Sequence, residues 1–445
     1  MLWAIIKALG EIHEQGLTMK VVIFTVDPPS NAYKRQVLEK VEERFSLKIP
    51  ASLPISFVHL EDCKHFLDRS SYLSLLLESW GTMRLAYTAL KRSNDNTKTS
   101  MPMPNLFFDT TGCAFTYLVA RLLFGCKVIA YTHYPTISND MLSMVWERRR
   151  ATYNNQESIT NSRIKTYIKL IYYTLFAAAY GTVGSLCALA MVNSTWTFNH
   201  IQSLWWWAAF QKRIHIVFPP CRISNTTTSS SSNNYHKTAT TNNTHSCQRE
   251  RMVLSIGQFR PEKDHELQIE ALALLFEKHP ALKGDVKMIM VGGCRNSDDE
   301  QRLRHLQEMT KKSNLESSIE FVVNKPYSVV EEWLSKAQVG IHTMWNEHFG
   351  IGVVEMMSAE LITIAHYSGG PKSDIVTPYE GNKPTGLLAS TAEEYADAMF
   401  QAFTMSEKEK SAMRENAKLS VQRFSDEAFS DSFKREILKS KVLDR

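Results

Sequence analysis

The sequence predicts an α/β protein of two doubly wound domains, and three observations lead to this prediction. Short apolar runs rich in β-branched residues, typical of strands buried on both faces, alternate with segments of helical length. The alternation runs twice along the 445 residues, on either side of a polar low-complexity segment. The composition, 44% hydrophobic and 22% charged residues, is that of a chain able to bury a full core. We therefore expect two α/β domains, each binding ligands at the carboxyl ends of its strands.

The first domain is assigned to residues 1–223. It begins with an amphipathic helix whose apolar residues recur at helical spacing, namely Leu2, Ile5, Ile6 and Leu9. A longer helix is expected at residues 72–91. The strands are expected at residues 21–26, 55–59, 105–108 and 127–131.

Residues 170–192 contain no charged side chain. Their number alone would allow a membrane-spanning helix. Their content of Ala, Gly, Ser, Thr and Tyr instead favours a hydrophobic helix and a buried strand inside the first domain, with contact to a bilayer surface. Membrane insertion remains the alternative interpretation.

Residues 224–249 contain almost no apolar side chains and cannot offset the entropy of ordering, so a disordered loop is expected. The second domain is assigned to residues 250–420, with strands at 253–256, 286–291, 319–323 and 339–343 and helices at 265–279, 300–313 and 329–337. Residues 421–445 form a C-terminal helix with the apolar stripe Phe429, Phe433 and Ile437. Crossing back to the first domain would bury this stripe.

Charge and cysteine content narrow the classes of function. The net charge of +5 is mild, and the lysines and arginines form no dense basic stripe along the sequence, so a nucleic-acid partner is not expected. The seven cysteines are scattered, odd in number and without a Cys-x-x-Cys pair. This pattern argues against a disulfide framework or a zinc site and favours a reducing, cytosol-facing environment.

Two carboxylates, Glu347 and Glu355, lie in the otherwise apolar stretch MWNEHFGIGVVEMMSAE. Glu347 falls in the turn between the strand at 339–343 and a helix at 351–359, and Glu355 falls inside that helix near the same end. The Glu355 carboxylate can accept two hydrogen bonds from a vicinal diol such as a ribose. Glu347 would face the group that a bound diphosphate carries. Alone, the pair also fits an exposed helix residue and a first-turn partner of the helix dipole.

The start of this predicted helix is also a candidate anion site. The first backbone N–H groups of a helix have no partner within the helix and bind phosphate readily. We therefore assign the backbone of Phe349, Gly350 and Ile351 to a diphosphate.

Arg260 and Lys263 follow the strand at 253–256, which breaks at Gly257. A bidentate arginine and a point-charge lysine together can neutralise a diphosphate leaving group. The chain contains no Asp-x-Asp pair to hold a divalent metal on such a group, so a reaction without metal or other cofactor is expected. As an isolated pair, the two cations also fit a solvated surface.

Two weaker signals complete the candidate site. Gly369 and Gly370 follow a predicted strand and would let the backbone approach a phosphate or sugar closely. His133 follows the strand at 127–131, at the edge where a ligand is expected. A lone histidine there also fits a structural role.

In combination and in this order, these residues resemble family 4 of the retaining GT-B glycosyltransferases. The strings GTMRLAYTAL, HYPTIS, MVNSTWT, IGQFRPEKDHELQIEAL, PYS, HTMWNEHFGIGVVEMM and SGGPKSDIV resemble the GDP-mannose-dependent alpha-1,2-mannosyltransferases of dolichol-linked oligosaccharide assembly. The resemblance covers nearly the whole chain apart from the Ser/Thr/Asn-rich loop.

The resemblance implies a GT-B fold, in which two Rossmann-like domains face a cleft. It also implies transfer of the fourth and fifth mannoses, alpha-1,2-linked, from GDP-mannose to a dolichol-diphosphate-linked oligosaccharide. The setting would be the cytosolic face of the endoplasmic reticulum membrane, with the membrane surface and other enzymes of the pathway as partners.

The resemblance further implies a role for each candidate residue. Arg260 and Lys263 would hold the diphosphate, Glu355 the ribose and Glu347 the mannose hydroxyls, and His133 would approach the sugar from the first domain. Retention of configuration needs a carboxylate nucleophile, for which Glu347 is the candidate, or front-side attack assisted by the leaving phosphate. The second mechanism is favoured.

Two departures from the family pattern generate further expectations. The family has a central first strand and a glycine-rich loop before the helix that here begins at Met1, so the first sheet is expected to be interrupted. The alternatives are then an inactive form that only binds nucleotide or a partner, or a GT-B transferase using another nucleotide sugar. Glu360 stands where the family ends a helix with glycine, and a left-handed backbone there would cost about 1 kcal/mol.

Overall fold

The structure, a computed structural model, describes residues 1–30, 32–45, 47–68, 74–94, 103–146, 163–223 and 249–444. It divides into two compact units. Unit 1 comprises Met1–Pro220 and Asp426–Arg445, and unit 2 comprises Cys221–Ser425. The predicted disordered loop at 224–249 lies outside the described residues, apart from Arg249.

Unit 1 contains two separate parallel sheets. The smaller pairs β1 (Val21–Thr25) with β2 (Ile55–His59). The larger has the order β3-β4-β5-β6, formed by Leu106–Asp109, Lys127–Thr132, Leu189–Val192 and Ile214–Ile216. The described strands of unit 1 therefore fall into two parallel sheets, of two and four strands.

Helices of unit 1 cover both faces of the larger sheet. Alternate residues of β4 divide between two apolar clusters, Val128 and Ala130 on one face and Ile129 and Tyr131 on the other, which is the pattern of a strand buried on both sides. In the described part of residues 1–220, the α-helices are α1 (Leu2–Glu14), α2 (Tyr33–Phe45), α3 (Ser74–Asn94), α4 (Thr116–Leu118), α5 (Asn139–Trp146), α6 (Arg163–Gly184), α7 (Thr195–Leu204) and α8 (Trp206–Phe210).

The charge-free segment 170–192 is divided between α6 and β5. This agrees with the prediction of a hydrophobic helix followed by a buried strand. Among the helices that the structure describes, none combines the length and the apolar character needed to cross a membrane.

Unit 2 has one six-stranded parallel sheet. Its strands are β7 (Glu250–Ile256), β8 (Lys287–Gly292), β9 (Ile319–Val323), β10 (Ala337–His342), β11 (Ile362–His366) and β12 (Leu387–Ala389). Their order is β12-β11-β10-β7-β8-β9. Read from β9, this is the 3-2-1-4-5-6 order of a doubly wound sheet. Successive strands are added on one side of β7 up to β9 and on its other side from β10 onwards, so the strand order changes direction between β7 and β10. Ligands bind such sheets beyond the strand ends at that point.

The helices of unit 2 are α9 (His265–Lys278), α10 (Ser297–Lys312), α11 (Tyr327–Lys336), α12 (Ile351–Ser358), α13 (Ala392–Thr404) and α14 (Glu407–Ser420). They bury both faces of the sheet, since Val253 of β7 joins the cluster under α9 and α13 whereas Leu254 joins the cluster under α11 and α12. The predicted elements are present with shifted ends. The helix predicted at 329–337, for example, begins at Tyr327 and gives way to β10 at Ala337.

The last helix, α15 (Asp426–Lys439), belongs to unit 1. Its residues Phe429, Phe433 and Ile437 are buried in one cluster with Ile5 and Ile12 of α1. The prediction assigned residues 221–223 to the first domain and residues 421–425 to the C-terminal helix, but both stretches lie in unit 2. The reason is that the Cys221 N–H donates to the Phe424 carbonyl at 2.9 Å and the Phe424 ring packs on Phe349 at 5.2 Å.

Two local features fix the ends of α12. Glu360 follows this helix with a φ of 63°, which confirms the expected left-handed backbone, and its carboxylate accepts from Lys418 at 2.5 Å. Arg249 donates to the carbonyls of Leu334 and Ala337 at 2.8 Å and of Ala359 at 2.5 Å. One guanidinium therefore satisfies free carbonyls at the ends of both α11 and α12.

Candidate active site

The predicted residues of unit 2 lie near the carboxyl ends of β7 and β10, the two strands between which the strand order changes direction. Arg260 and Lys263 follow β7, and a single 3-10 turn, Pro261–Lys263, carries the lysine. Glu347 lies in the loop between β10 and α12. The topology therefore brings together side chains that are more than 80 residues apart in sequence.

Lys263 and Glu347 are in direct contact. Lys263 Nζ lies 2.5 Å from Glu347 Oε2, and the two side chains are 25% and 14% exposed. Nζ also lies 3.3 Å from the sulfur of Met344. The lysine that the sequence assigns to a diphosphate is thus paired with the carboxylate that the sequence assigns to a sugar.

His342 is a second partner of the same carboxylate. It is the last residue of β10, and its Nε2 lies 3.2 Å from Glu347 Oε2. Burial would raise the pKa of Glu347, but the hydrogen bond from His342 and the charges of His342 and Lys263 outweigh it and hold this pKa well below its usual range. Glu347 is therefore an ionised carboxylate with one oxygen engaged twice.

Arg260 is held less tightly than Lys263. Its guanidinium lies 3.5 Å from Glu262, and its Nε is buried without a hydrogen-bond partner among the described residues. Such a nitrogen is costly unless a ligand completes it. Arg260 is thus the cation of this pair with spare donor capacity.

The start of α12 presents backbone donors at the same strand edge. Gly350 precedes the helix with a φ of 117°, a conformation that favours glycine, and its carbonyl accepts from the N–H groups of Val353 and Val354. The earlier N–H groups, of Ile351 and Gly352, stand at the open end of the helix. Phe349 is buried, which anchors the turn.

Gly369 and Gly370 pack against the Glu347 loop. The Gly370 N–H donates to the Glu347 carbonyl at 2.8 Å. A Cβ on Gly369 would lie 2.3 Å from that carbonyl oxygen, and one on Gly370 would lie 2.4 Å from the Phe349 carbonyl oxygen. Side chains at these two positions would therefore push the loop away, a constraint that the sequence did not reveal.

Glu355 lies in a different environment from Glu347. Burial raises its pKa, although the Tyr327 hydroxyl, 3.3 Å away, and the charge of Arg222 partly oppose this rise. The Arg222 guanidinium lies over the Tyr327 ring at 4.4 Å, a cation–π contact. Burial, followed by the charge of Glu355, raises the pKa of Tyr327 to about 12, so the phenol stays protonated and can donate.

His133 belongs to unit 1, directly after β4, where the prediction placed it. Its ring lies 5.0 Å from the buried Tyr131 ring, and its carbonyl accepts from Thr197 at 3.4 Å.

Sequence reasoning missed three residues whose contacts or charges act on the predicted carboxylates. His342 stands in HTMWNEHFG and Tyr327 in PYS, two of the strings that carry the resemblance, but neither was given a role. Arg222 was placed in the other domain. A histidine at the buried end of an apolar strand was the signal available for His342, because such a polar side chain needs a partner.

Comparison with known proteins identifies the class of this chain. Residues 1–205 match the family model "ALG11 mannosyltransferase N-terminus", and residues 238–420 match "Glycosyl transferases group 1". Among solved structures, an alpha,alpha-trehalose-phosphate synthase (UDP-forming) from Burkholderia vietnamiensis is similar with a TM-score of 0.63 at 10% identity, covering 96% of this chain and 100% of that one. A glycosyltransferase from Rickettsia africae has a TM-score of 0.59 at 13% identity, with 99% and 94% covered. Fold and site thus define the class as a GT-B glycosyltransferase.

Relatives of higher identity define the family. A protein of Xenopus laevis named "GDP-Man:Man(3)GlcNAc(2)-PP-Dol alpha-1,2-mannosyltransferase" is 42% identical over 97% of this chain and 82% of its own length. Proteins of the same name from Homo sapiens and Caenorhabditis elegans are 38% and 34% identical, over 97% and 99% of this chain and 82% and 87% of their own lengths. The chain belongs to the GDP-Man:Man(3)GlcNAc(2)-PP-Dol alpha-1,2-mannosyltransferase family. The resemblance drawn from the motifs is confirmed.

Proposed function

We propose that this protein transfers alpha-1,2-linked mannose from GDP-mannose to a dolichol-diphosphate-linked oligosaccharide, with retention of configuration, adding the fourth and fifth mannoses. The names of its relatives support the donor and the acceptor. One observation in the structure carries the proposal: Lys263 contacts an ionised Glu347, and Arg260 precedes this lysine by three residues, at the point where the strand order of unit 2 changes direction. Cations and a carboxylate at that point suit a diphosphate and the hydroxyls of an attached sugar.

The proposal gives each residue a role. Arg260, Lys263 and the backbone of Phe349, Gly350 and Ile351 bind the diphosphate. Glu355 accepts from the ribose hydroxyls, and Glu347 accepts from the mannose hydroxyls. Gly369 and Gly370 keep the Glu347 loop close, and His133 is assigned to the transferred sugar.

In the proposed reaction, the acceptor hydroxyl oxygen forms the new bond to C1 of mannose while the bond from C1 to the phosphate oxygen breaks. The electron pair leaves with GDP, and the departing phosphate oxygen takes the proton of the acceptor. Arg260, Lys263 and the helix start stabilise the charge that develops on GDP. This front-side route suits Glu347 as observed, because a carboxylate engaged by Lys263 and His342 is a weak nucleophile.

Transfer assays with a synthetic lipid-diphosphate trimannosyl-chitobiose acceptor test this proposal. Radiolabelled mannose from GDP-mannose should appear in the lipid product, and product digestion should show alpha-1,2 linkages. Labelled UDP-sugars serve as the matched control and should give no product. Product from a UDP-sugar, or none from GDP-mannose, would contradict the assignment. Since the proposed reaction uses no metal, EDTA should leave the rate unchanged.

We further propose that unit 1 contacts the cytosolic face of the endoplasmic reticulum membrane, where other enzymes of the pathway also act. The support is an exposed apolar stripe on α6, in which every residue is between 59% and 73% exposed: Ile164, Tyr167, Ile168, Ile171 and Leu175. The helix carries Lys165 and Lys169 and no acidic residue. An apolar stripe beside lysines is typical of a helix lying on an anionic bilayer.

Sedimentation with anionic vesicles tests this contact. The double variant Ile168→Glu/Ile171→Glu should bind vesicles at least about 10-fold less tightly, since each charge opposes insertion of the stripe. Leu438→Glu, at another exposed apolar position, is the control and should bind normally. Equal binding of all three proteins would exclude α6 as the contact.

A further inference from the structure

His342 is buried with one ring nitrogen used and the other idle. The side chain is 6% exposed, and its Nε2 lies 3.2 Å from Glu347 Oε2. Its Nδ1 has no hydrogen-bond partner among the described residues. Because a carboxylate can only accept, Nε2 carries a proton and donates it to Glu347. The Tyr395 hydroxyl also holds the backbone of His342 by donating to its carbonyl at 2.8 Å. His342 is therefore a rigid donor aimed at Glu347.

Lys263 uses the same carboxylate oxygen but is not held rigidly at its tip. Thr343 Oγ1 donates to the Lys263 carbonyl at 2.8 Å, which fixes the backbone of the lysine. The ammonium lies at the end of a flexible four-carbon chain, and the side chain is 25% exposed. Lys263 can therefore turn towards another anion, whereas His342 cannot leave its strand.

A bound diphosphate is such an anion, because the proposed function places it beside Lys263. If Lys263 turned to it, Glu347 would lose its ion pair while only 14% exposed. A buried carboxylate without a partner is strongly disfavoured. Something else must then keep Glu347 ionised and in place.

We propose that His342 is a positioning residue that holds Glu347 when Lys263 passes from Glu347 to the diphosphate of the donor. The inference deepens the proposed function and rests on it. The arrangement explains why a histidine, rather than an apolar residue, ends β10. The competing arrangement has Lys263 bridge Glu347 and the diphosphate at once, in which case His342 would not matter to nucleotide binding.

The test compares His342→Met with His342→Gln. Both side chains are unbranched and of similar size, but only glutamine keeps a nitrogen donor near the position of Nε2. GDP affinity is measured by calorimetry, and kcat and KM are measured with GDP-mannose. In His342→Met, Glu347 depends on Lys263 alone and resists its release, so GDP should bind about 10-fold more weakly and kcat should fall about 10-fold, as for one charged hydrogen bond. His342→Gln should stay within about threefold of wild type in both quantities.

A second substitution separates this role from damage to the fold. The amide of Glu347→Gln does not need the charge of Lys263, so His342→Met/Glu347→Gln should bind GDP within about twofold of wild type. Normal GDP affinity in His342→Met would show that Lys263 bridges both groups, and a loss that persists in the double variant would indicate general damage. Either result overturns the inference while leaving the proposed function intact. A wild-type protein that binds no GDP would contradict the proposed function itself, and this inference with it.

Discussion

Two carboxylates at the start of one helix are held in opposite ways. Glu347, in the loop before α12, faces a lysine and a histidine and has a pKa well below its usual range. Glu355, inside α12, faces a phenol, and burial raises its pKa. Residue type alone would make them equivalent. The difference shows that the number and charge of the donors around each group decide the direction in which its pKa moves.

The largest expected effect is on transfer in Glu347→Gln. If Glu347 orients the mannose through its charge, loss of that charge should lower kcat by roughly 100- to 1,000-fold, the usual loss for one well-placed electrostatic contact. GDP affinity should be unchanged or higher, because Lys263 is released. Radiolabelled transfer and calorimetry measure the two quantities. A near-normal kcat would remove Glu347 from the site.

Glu355→Gln should show the reverse pattern. The ribose belongs to the nucleotide, so GDP affinity should fall about 10-fold, as for one hydrogen bond to a charged group. The kcat at saturating donor should change by less than about threefold, because this contact is made equally in the ground and transition states. Steady-state kinetics with GDP-mannose checks both numbers. A fall in kcat as large as that of Glu347→Gln would mean that the two carboxylates do not divide the work in this way.

The pH dependence of stability should have opposite signs at the two positions. A carboxylate with a depressed folded pKa stabilises the protein above its unfolded value of 4.5, and this contribution is lost as the pH falls. Glu347→Gln should therefore destabilise by about 2 kcal/mol at neutral pH, with a difference that shrinks below pH 4.5. A raised folded pKa has the opposite effect on stability. Ionisation of Glu355 therefore destabilises the folded protein, and this loss of stability appears as the pH rises. Denaturant unfolding of both variants at several pH values measures the two slopes, and parallel slopes would refute the contrast.

The smallest expected effect is that of Tyr327→Phe. Removing the hydroxyl takes away the donor that opposes the rise of the Glu355 pKa, so this pKa should rise further. GDP affinity should fall about threefold at neutral pH, and more at lower pH as Glu355 takes up a proton. Calorimetry across this pH range measures it. Tyr87→Phe, which changes an exposed phenol in unit 1, is the matched control and should bind GDP normally.

The sequence predicted the strands that precede the candidate site residues, because the buried strands of unit 2 are unambiguous in their apolar runs. Once β7 and β10 are parallel neighbours, Lys263 and Glu347 must lie at the same edge. The sequence could not show that the two side chains bind each other, because both were assigned to a ligand. His342 was missed for a related reason: at the end of the run VGIH it is counted as part of a buried strand. Strand periodicity reports burial and gives no information on the partner that a buried polar atom finds.

Arg249 has a consequence for how the chain tolerates change. Arg249 lies immediately before β7, and its guanidinium caps the carbonyls of Leu334, Ala337 and Ala359. This clamp therefore anchors the start of β7 to the ends of α11 and α12. Insertions or deletions within 224–248 should leave nucleotide affinity untouched, which makes that stretch the natural place to splice a tag or a reporter into the enzyme.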